Sequence, residues 1–163
     1  MAKFLKDLNI GNKGQKLFIN ILEENNEIKN IKLNNDKYFD VSCDYKGSYY
    51  TFEIKYDLMA SKTGNIAIEF YNPKTCEDSG IATTKADFWI TVLNNPQQIY
   101  LSPVKFLKNF LDNTKPCRII TVGGDKNSSM YLFKKDRILD VCMFKINSSD
   151  DLIKFIEDLN AGN

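Results

Sequence analysis

The chain of 163 residues contains no histidine. This absence excludes His-ligated metal sites, Ser-His-Asp triads, Cys-His nucleophile pairs and nucleases of the His-Asn-His kind. Acid–base chemistry therefore has to use carboxylates, lysine, tyrosine or cysteine. A hydrolytic site in this chain is expected to be built from Asp, Glu and Lys.

Arginine is scarce, with only Arg118 and Arg137 among 22 basic residues. Arginine pairs with guanine through two hydrogen bonds in the major groove, so its scarcity disfavours sequence-specific reading of DNA. The formal net charge of +1 also lacks the strongly basic balance common in nucleic-acid binders. A local group of lysines around an acidic site is compatible with both the low arginine count and the net charge of +1.

Neither a signal peptide nor an apolar run of about 18 residues is present. The four cysteines, Cys43, Cys76, Cys117 and Cys142, have neither Cys-x-x-Cys nor zinc-ligand spacing. Three of them lie in apolar, strand-like segments, which predicts buried free thiols and fits a reducing compartment. We expect a soluble protein of the cytoplasm (the host cytoplasm if the source is viral), with no membrane partner.

The segment 38–57 alternates polar and apolar side chains in two runs, which predicts a β-hairpin. A two-residue turn at Lys46-Gly47 sets a register in which Val41 faces Phe52. A slip by one residue would move the apolar side chains onto the polar face, which disfavours other registers.

In this register Asp40 lies opposite Glu53. Opposed Cβ atoms are roughly 4.5–5.5 Å apart, and like charges at that distance destabilise the pair unless a cation lies between them. Mg²⁺ or Mn²⁺ fits, because hard cations take carboxylate and carbonyl oxygens, and the Ile54 backbone carbonyl is a further candidate ligand. Lys55, on the same face, can position or activate a metal-bound water, or stabilise charge on a phosphate.

The tripeptide Glu-Ile-Lys occurs twice. The copy at 27–29 lies in an Asn-rich segment without an alternating strand or an upstream aspartate, and we expect a solvated surface run there. For the copy at 53–55 the alternative is an ordinary cross-strand salt bridge on an exposed sheet face.

The pattern Asp40 followed by Glu53-x-Lys55 resembles the signature of the PD-(D/E)xK nuclease superfamily, which includes restriction endonucleases, archaeal-type Holliday junction resolvases and phage exonucleases. Phe39 stands where the name-giving proline would be. The resemblance covers about residues 10–112. It implies an α/β fold with a restriction-endonuclease-like core, in which helices flank a mixed central β-sheet.

The same resemblance implies a Mg²⁺- or Mn²⁺-dependent deoxyribonuclease that hydrolyses phosphodiesters of branched or double-stranded DNA. A structure-selective endonuclease similar to a Holliday junction resolvase or a phage enzyme is the first choice, and such enzymes usually act as homodimers. The alternative is a non-catalytic module that binds nucleic acid or protein, on the same fold or on an unrelated α+β fold.

Three further residues are supporting candidates. Gln15, on a predicted helix 13–24, stands where many members carry an acid, or is an ordinary polar residue of the helix start. Glu69, on a predicted strand 64–71, is a further acid beside the metal or an exposed strand carboxylate. Lys85 lies in a segment that resembles resolvase-like and phage nucleases, where the lysine contacts a substrate phosphate.

Downstream patterns complete a single domain, 1–163, whose last part, about 114–163, is expected to be a small α/β extension or to cover a sheet edge or a dimer interface. The loop 123–127 is rich in glycine but lacks a following helix, so a hairpin connection is favoured over a phosphate loop. A helix to about Asn113 is expected to start with Ser102 as N-cap and Pro103 at its first position. The other predicted elements are strands at 87–93, 99–101, 117–122, 130–133 and 138–146, and a final helix at 150–160 capped by Ser148.

Overall fold

The computed structural model describes residues 2–34, 37–122 and 127–162, with side chains from residue 12 onward. Its helices are α1 (Ala2–Glu23), α2 (Ala60–Thr63), α3 (Val104–Asn113), α4 (Lys135–Cys142) and α5 (Ser149–Ala161), with a 3₁₀ turn at Gly80–Ala82. Its strands are β1 (Ile28–Leu33), β2 (Val41–Tyr45), β3 (Ser48–Asp57), β4 (Asn65–Asn72), β5 (Glu77–Asp78), β6 (Phe88–Leu93), β7 (Gln98–Pro103), β8 (Arg118–Val122), β9 (Ser128–Lys134) and β10 (Phe144–Ile146).

The described strands form two sheets. The main sheet has six strands in the order β1-β2-β3-β6-β7-β10, and the second has four in the order β5-β4-β9-β8. In the main sheet β3 and β6 run parallel, whereas the other neighbouring strands are antiparallel. The expected α/β class with a mixed central sheet is therefore confirmed at this level.

Apolar side chains cover both faces of the main sheet. On one face α1 and α5 pack against β3 and β6, and the rings of Phe18 and Phe52 lie 4.9 Å apart between their centroids. On the other face α3, α4 and the second sheet pack around Trp89 and Phe133. All six residues of β6 are buried, as expected for a strand covered on both faces.

The predicted hairpin register is confirmed by the pairs Val41–Phe52 and Tyr45–Ser48. Lys46 and Gly47 form the turn with φ angles of 47° and 79°. Two positive φ angles are what a two-residue hairpin of the I′ type requires. Both strands of the hairpin therefore present their polar residues on the face that sequence alternation predicts.

The second sheet joins parts of the chain that are distant in sequence. The third strand predicted by alternation is β4, and it pairs with β9 rather than with the hairpin. Strands β8 and β9 belong to the second sheet, whereas β10 pairs with β7 in the main sheet. Helix α5 contacts α1. Strand β10 is the last strand of the main sheet, beside β7. The domain organisation expected for 114–163 stays a prediction.

Several predicted elements need correction. The run 138–146 is not one strand: Ile138, Leu139 and Cys142 are buried at helical spacing in α4 while Val141 is 66% exposed, and only β10 is extended. The Glu-Ile-Lys copy at 27–29 has exposed charges as expected, but its buried Ile28 begins the edge strand β1.

Two helix starts differ from the sequence prediction, and a third is confirmed. The helix predicted over 13–24 begins at residue 2. Helix α3 begins at Val104, so Pro103 occupies the N-cap position predicted for Ser102, without a side-chain hydrogen bond, and Ser102 lies in β7. Ser148 does cap α5, where its side chain accepts a hydrogen bond from the Asp151 amide.

Two remaining predictions concern loops and thiols. Residues 123–126 of the predicted hairpin loop lie outside the described residues. All four cysteines are free, but only Cys43 and Cys142 are buried, whereas Cys76 and Cys117 are exposed. The expectation of buried thiols therefore holds for two of the four.

None of the described helices is both long enough and apolar enough to cross a membrane.

Candidate active site

One polar cavity of about 470 Å³, called here the acidic cavity, contains most of the residues that the sequence singles out. It lies where the ends of β2 and β3 meet β4, β5 and the 3₁₀ turn. Four predicted site residues line it together with six polar or small neighbours: Asp40, Glu53, Lys55 and Glu69, with Lys37, Glu77, Asp78, Ser79, Gly80 and Thr83.

Asp40 lies one residue beyond the end of the hairpin ladder, so its predicted position opposite Glu53 is only approximate. Its amide donates to the Phe52 carbonyl at 2.9 Å, and its Oδ2 accepts from the Ile54 amide at 2.7 Å. Asp40 therefore bonds to both chain neighbours of Glu53. The role of the Ile54 carbonyl as a metal ligand stays a prediction, whereas its amide is used to hold Asp40.

The second oxygen of Asp40 accepts a hydrogen bond from Gln15 Nε2 at 3.0 Å. Gln15 is thereby part of the site, although it does not line the cavity. Helix α1 reaches this position because Gly14 packs against β3: a Cβ at Gly14 would lie 3.1 Å from the Cβ of Tyr56. A glycine inside a helix lowers its stability by roughly 1 kcal/mol, and here it allows the close approach.

Glu53 is only 7% exposed, and its Oε1 lies 2.6 Å from Lys55 Nζ. The alternative of a cross-strand salt bridge on an exposed face does not describe this pair, because Glu53 and Lys55 lie on the same strand and Glu53 is buried. Burial raises the pKa of Glu53, Lys55 opposes that shift, and the charges of Asp40 and Glu69 raise the pKa further, with a net upward shift. A buried carboxylate with this environment is typical of functional clefts.

Lys55 is held between the carboxylates and an aromatic ring. Its Nζ lies 5.6 Å from the ring centroid of Trp89, within the range of a cation–π interaction. Burial lowers the pKa of Lys55, but Glu53, Asp40 and Glu69 outweigh it and raise the pKa overall. The side chain therefore presents a positive charge to the cavity at neutral pH.

Glu69 comes from the second sheet, and its Oε1 accepts a hydrogen bond from Ser79 Oγ at 2.8 Å. The neighbouring Gly80 has φ of +53°, and a Cβ there would overlap the backbone carbonyl of Glu69. Only glycine permits this approach. The 3₁₀ turn thus closes the cavity against β4.

Lys85 lies outside the cavity lining. Its Nζ is 4.0 Å from the ring centroid of Tyr38, and its amide donates to the Tyr38 carbonyl. Its role as a phosphate contact stays a prediction. Lys37, which sequence reasoning missed, lines the cavity and lies over the same ring at 5.6 Å. No periodic pattern marks Lys37, and its position three residues before Asp40 is the only signal.

The donor atoms of this cavity suit a hard divalent cation. Among the residues that the structure describes, no three His, Cys, Asp or Glu side chains are grouped closely enough to form a ready metal site. Mg²⁺, however, usually takes one or two carboxylates and completes its shell with waters and substrate phosphates. Asp40 and Glu53 supply such carboxylates, and a cation beside them would offset both the burial and the like-charge repulsion that raise the pKa of Glu53.

Compared with known proteins, the chain matches no family model and no curated protein.

Proposed function

We propose that this protein is a metal-dependent endonuclease that hydrolyses phosphodiester bonds of DNA. The observation that carries the proposal is the single cavity shared by Asp40, Glu53, Lys55 and Glu69. Two carboxylates and a lysine, with Asp40 just before β2 and Glu53 and Lys55 within β3, form the set of groups that supports phosphodiester hydrolysis without histidine.

Asp40 and Glu53, with the Ile54 carbonyl, would hold Mg²⁺ or Mn²⁺. The bound ion would supply an acidic water and stabilise negative charge on the phosphate. Glu69, which accepts a hydrogen bond from Ser79 in the same cavity, would be a further acid beside this ion.

The protein groups around these carboxylates have positioning and electrostatic roles. Gln15 and the Ile54 amide fix both oxygens of Asp40, so its carboxylate does not rotate freely. Lys55 carries a positive charge that attracts the scissile phosphate and balances the charge developing on it. The Nζ atoms of Lys37 and Lys85 both lie near the Tyr38 ring. These two lysines would contact the phosphates that flank the scissile phosphate.

A restriction-endonuclease-like core is part of this proposal. The element order supports it, since helix α1 is followed, after the edge strand β1, by the β2–β3 hairpin, with Asp40 just before β2 and Glu53-x-Lys55 in β3. The position of Gln15 at the site supports it as well, because the resemblance places a functional side chain on this helix.

DNA of particular shape, either branched or double-stranded, is the proposed substrate. The scarcity of arginine disfavours readout of guanine bases, and recognition of DNA shape does not need it. A resolvase-like enzyme cuts two strands, so a homodimer acting in the cytoplasm is the proposed working form.

The experiment that tests this function incubates the purified protein with linear duplex, single-stranded and four-way-junction DNA. Each substrate is offered with Mg²⁺, with Mn²⁺ and with EDTA. We expect cleavage that requires the cation and is fastest on the junction. Binding without cleavage under every condition would refute the nuclease and favour the non-catalytic nucleic-acid-binding module.

A further inference from the structure

A second cavity of about 530 Å³, called here the apolar groove, opens beside the acidic one. Lys55 and Glu69 line both cavities, so the two adjoin at these side chains. The other walls of the apolar groove are mainly hydrophobic, and six of them are Leu58, Met59, Ala67, Ile120, Met130 and Leu132.

The groove exists because the second sheet is apolar on both faces. Side chains alternate along each strand, and Ile66 and Ile68 of β4 turn into the core. On the opposite face the strand pairing puts Glu69, Met130 and Ile120 in one row across β4, β9 and β8. This row leads from the acidic cavity into hydrophobic surface. An apolar surface of this kind outside the core commonly marks a binding site.

We propose that the apolar groove binds one unpaired nucleobase of the DNA, adjacent to the phosphate that lies at Lys55. The inference rests on the proposed function, and it adds the class of substrate: DNA with a base that is unstacked at the cleaved position. Branched and single-stranded DNA offer such bases at little energetic cost, whereas an intact duplex has to expel one.

The position of Lys55 and Glu69 between the two cavities favours a nucleobase over other apolar occupants. A base is covalently tied to its phosphate, so a phosphate at Lys55 brings an aromatic ring to the mouth of the groove. Stacking on an aromatic side chain tolerates any base, and Tyr56 supplies one such ring in the lining of the groove. A lipid tail or an apolar peptide would match the walls equally well, but it would bring no negative charge to Lys55.

The test observes the groove directly by NMR of methyl groups in the 163-residue chain. The protein is titrated in Mg²⁺ buffer with thymidine 5′-monophosphate and, separately, with deoxyribose 5-phosphate, which lacks the base. Ile120 lines the groove, whereas its neighbour Ile119 is 58% exposed on the same strand and does not line it. We expect the nucleotide, but not the sugar phosphate, to shift the Ile120 and Met130 methyl signals and to leave Ile119 unchanged.

Two variants test the same site through affinity. Ile120→Gln makes the wall polar, and Ala67→Leu fills the groove with an apolar side chain, so the two do not share a folding defect. Each is expected to weaken nucleotide binding roughly tenfold, the size of effect of losing one base-stacking contact. The matched variant Ile119→Gln is expected to bind like the wild type.

Absence of shifts at Ile120, equal shifts with the sugar phosphate, or equal weakening by Ile119→Gln would each overturn the inference. The two proposals fail separately. Metal-dependent cleavage without base binding refutes the groove alone, and base binding without any cleavage refutes the nuclease alone.

Discussion

Gln15 and Asp40 are 25 residues apart in sequence and are joined by a hydrogen bond of 3.0 Å between Gln15 Nε2 and Asp40 Oδ1. This bond links helix α1 to the acidic cavity, and the Ile54 amide holds the other oxygen of the same carboxylate. A site carboxylate held at both oxygens has a defined orientation before any substrate arrives. Such pre-organisation is what a hydrolytic site requires of its acids.

Loss of the Gln15 contact is expected to impair DNA cleavage without unfolding the protein. Gln15→Leu keeps the size of the side chain but frees one oxygen of Asp40. Removal of a partner that orients a metal ligand typically costs about 10- to 100-fold in metal affinity or activity. Cleavage rates and thermal midpoints of Gln15→Leu and of Asn20→Leu, an exposed position on the same helix, give the comparison. Equal rates for the two variants would contradict a role for Gln15 in the site.

Gly80 is expected to tolerate alanine much less well than Gly64. Both have positive φ angles, 53° and 66°, so alanine strains the backbone at each by roughly 1–2 kcal/mol. A Cβ at Gly64 meets no atom within 4 Å, whereas a Cβ at Gly80 overlaps the backbone of Glu69. Urea denaturation should therefore show a larger loss of stability for Gly80→Ala than for Gly64→Ala. Equal losses would mean that the close approach to Glu69 is not a constraint.

Two of the four thiols are expected to react with iodoacetamide in the native protein. Burial raises the pKa of Cys43 to about 12, with the Asp44 charge adding to the shift, and burial raises that of Cys142 to about 11. Since the thiolate is the reactive form, both should be inert. Cys76 and Cys117 are exposed and should be alkylated. Mass spectrometry after labelling, with and without urea, counts the sites, and native labelling of Cys43 would contradict the buried hairpin strand.

Asp151 is expected to stabilise the fold at neutral pH and to lose this effect in acid. The Asn147 amide donates to its carboxylate at 2.8 Å and lowers its pKa from the ordinary value of 3.8. A lowered folded-state pKa contributes stability above the unfolded pKa, and the contribution disappears as pH falls through the folded one. Asp151→Asn should therefore be less stable than wild type at pH 7, by about 0.5 kcal/mol, because solvent screens this exposed carboxylate.

Urea denaturation of Asp151→Asn and wild type at pH values from 7 down to 2.5 measures this difference. It should shrink below pH 4 and be smaller at all values for Asp150→Asn, an exposed carboxylate in the same turn. A difference that is independent of pH would show that the effect is not electrostatic.

Local patterns in the sequence were sufficient for the hairpin. Strict alternation and the Lys46-Gly47 turn determine which residues pair, since a slip would expose the apolar face. The same alternation put Glu53 and Lys55 on one face, and the structure places both in the acidic cavity. The local sequence at Ser148 likewise predicts the N-cap of α5, and the structure confirms it.

Long-range pairing could not be predicted in this way. Nothing near Asn65 indicates that it pairs with Lys134, and this pairing creates the second sheet and brings Glu69 to the site. The error over 138–146 has a different cause, because a short apolar run fits a strand and a buried helix face equally well. Only the tertiary contacts of α4 with α3 and β9 resolve the ambiguity.

In the proposed function, only one of the two Glu-Ile-Lys copies is catalytic. Cleavage of four-way-junction DNA in Mg²⁺ by a matched pair of variants tests this assignment most directly. Glu53→Gln alters the buried carboxylate of the acidic cavity, and Glu27→Gln makes the same change in the exposed copy. We predict that Glu53→Gln lowers the cleavage rate by at least about 100-fold, as expected for loss of a group that binds the catalytic ion, while Glu27→Gln cleaves like the wild type. Equal cleavage by Glu53→Gln and Glu27→Gln would contradict the assignment of this cavity as the active site.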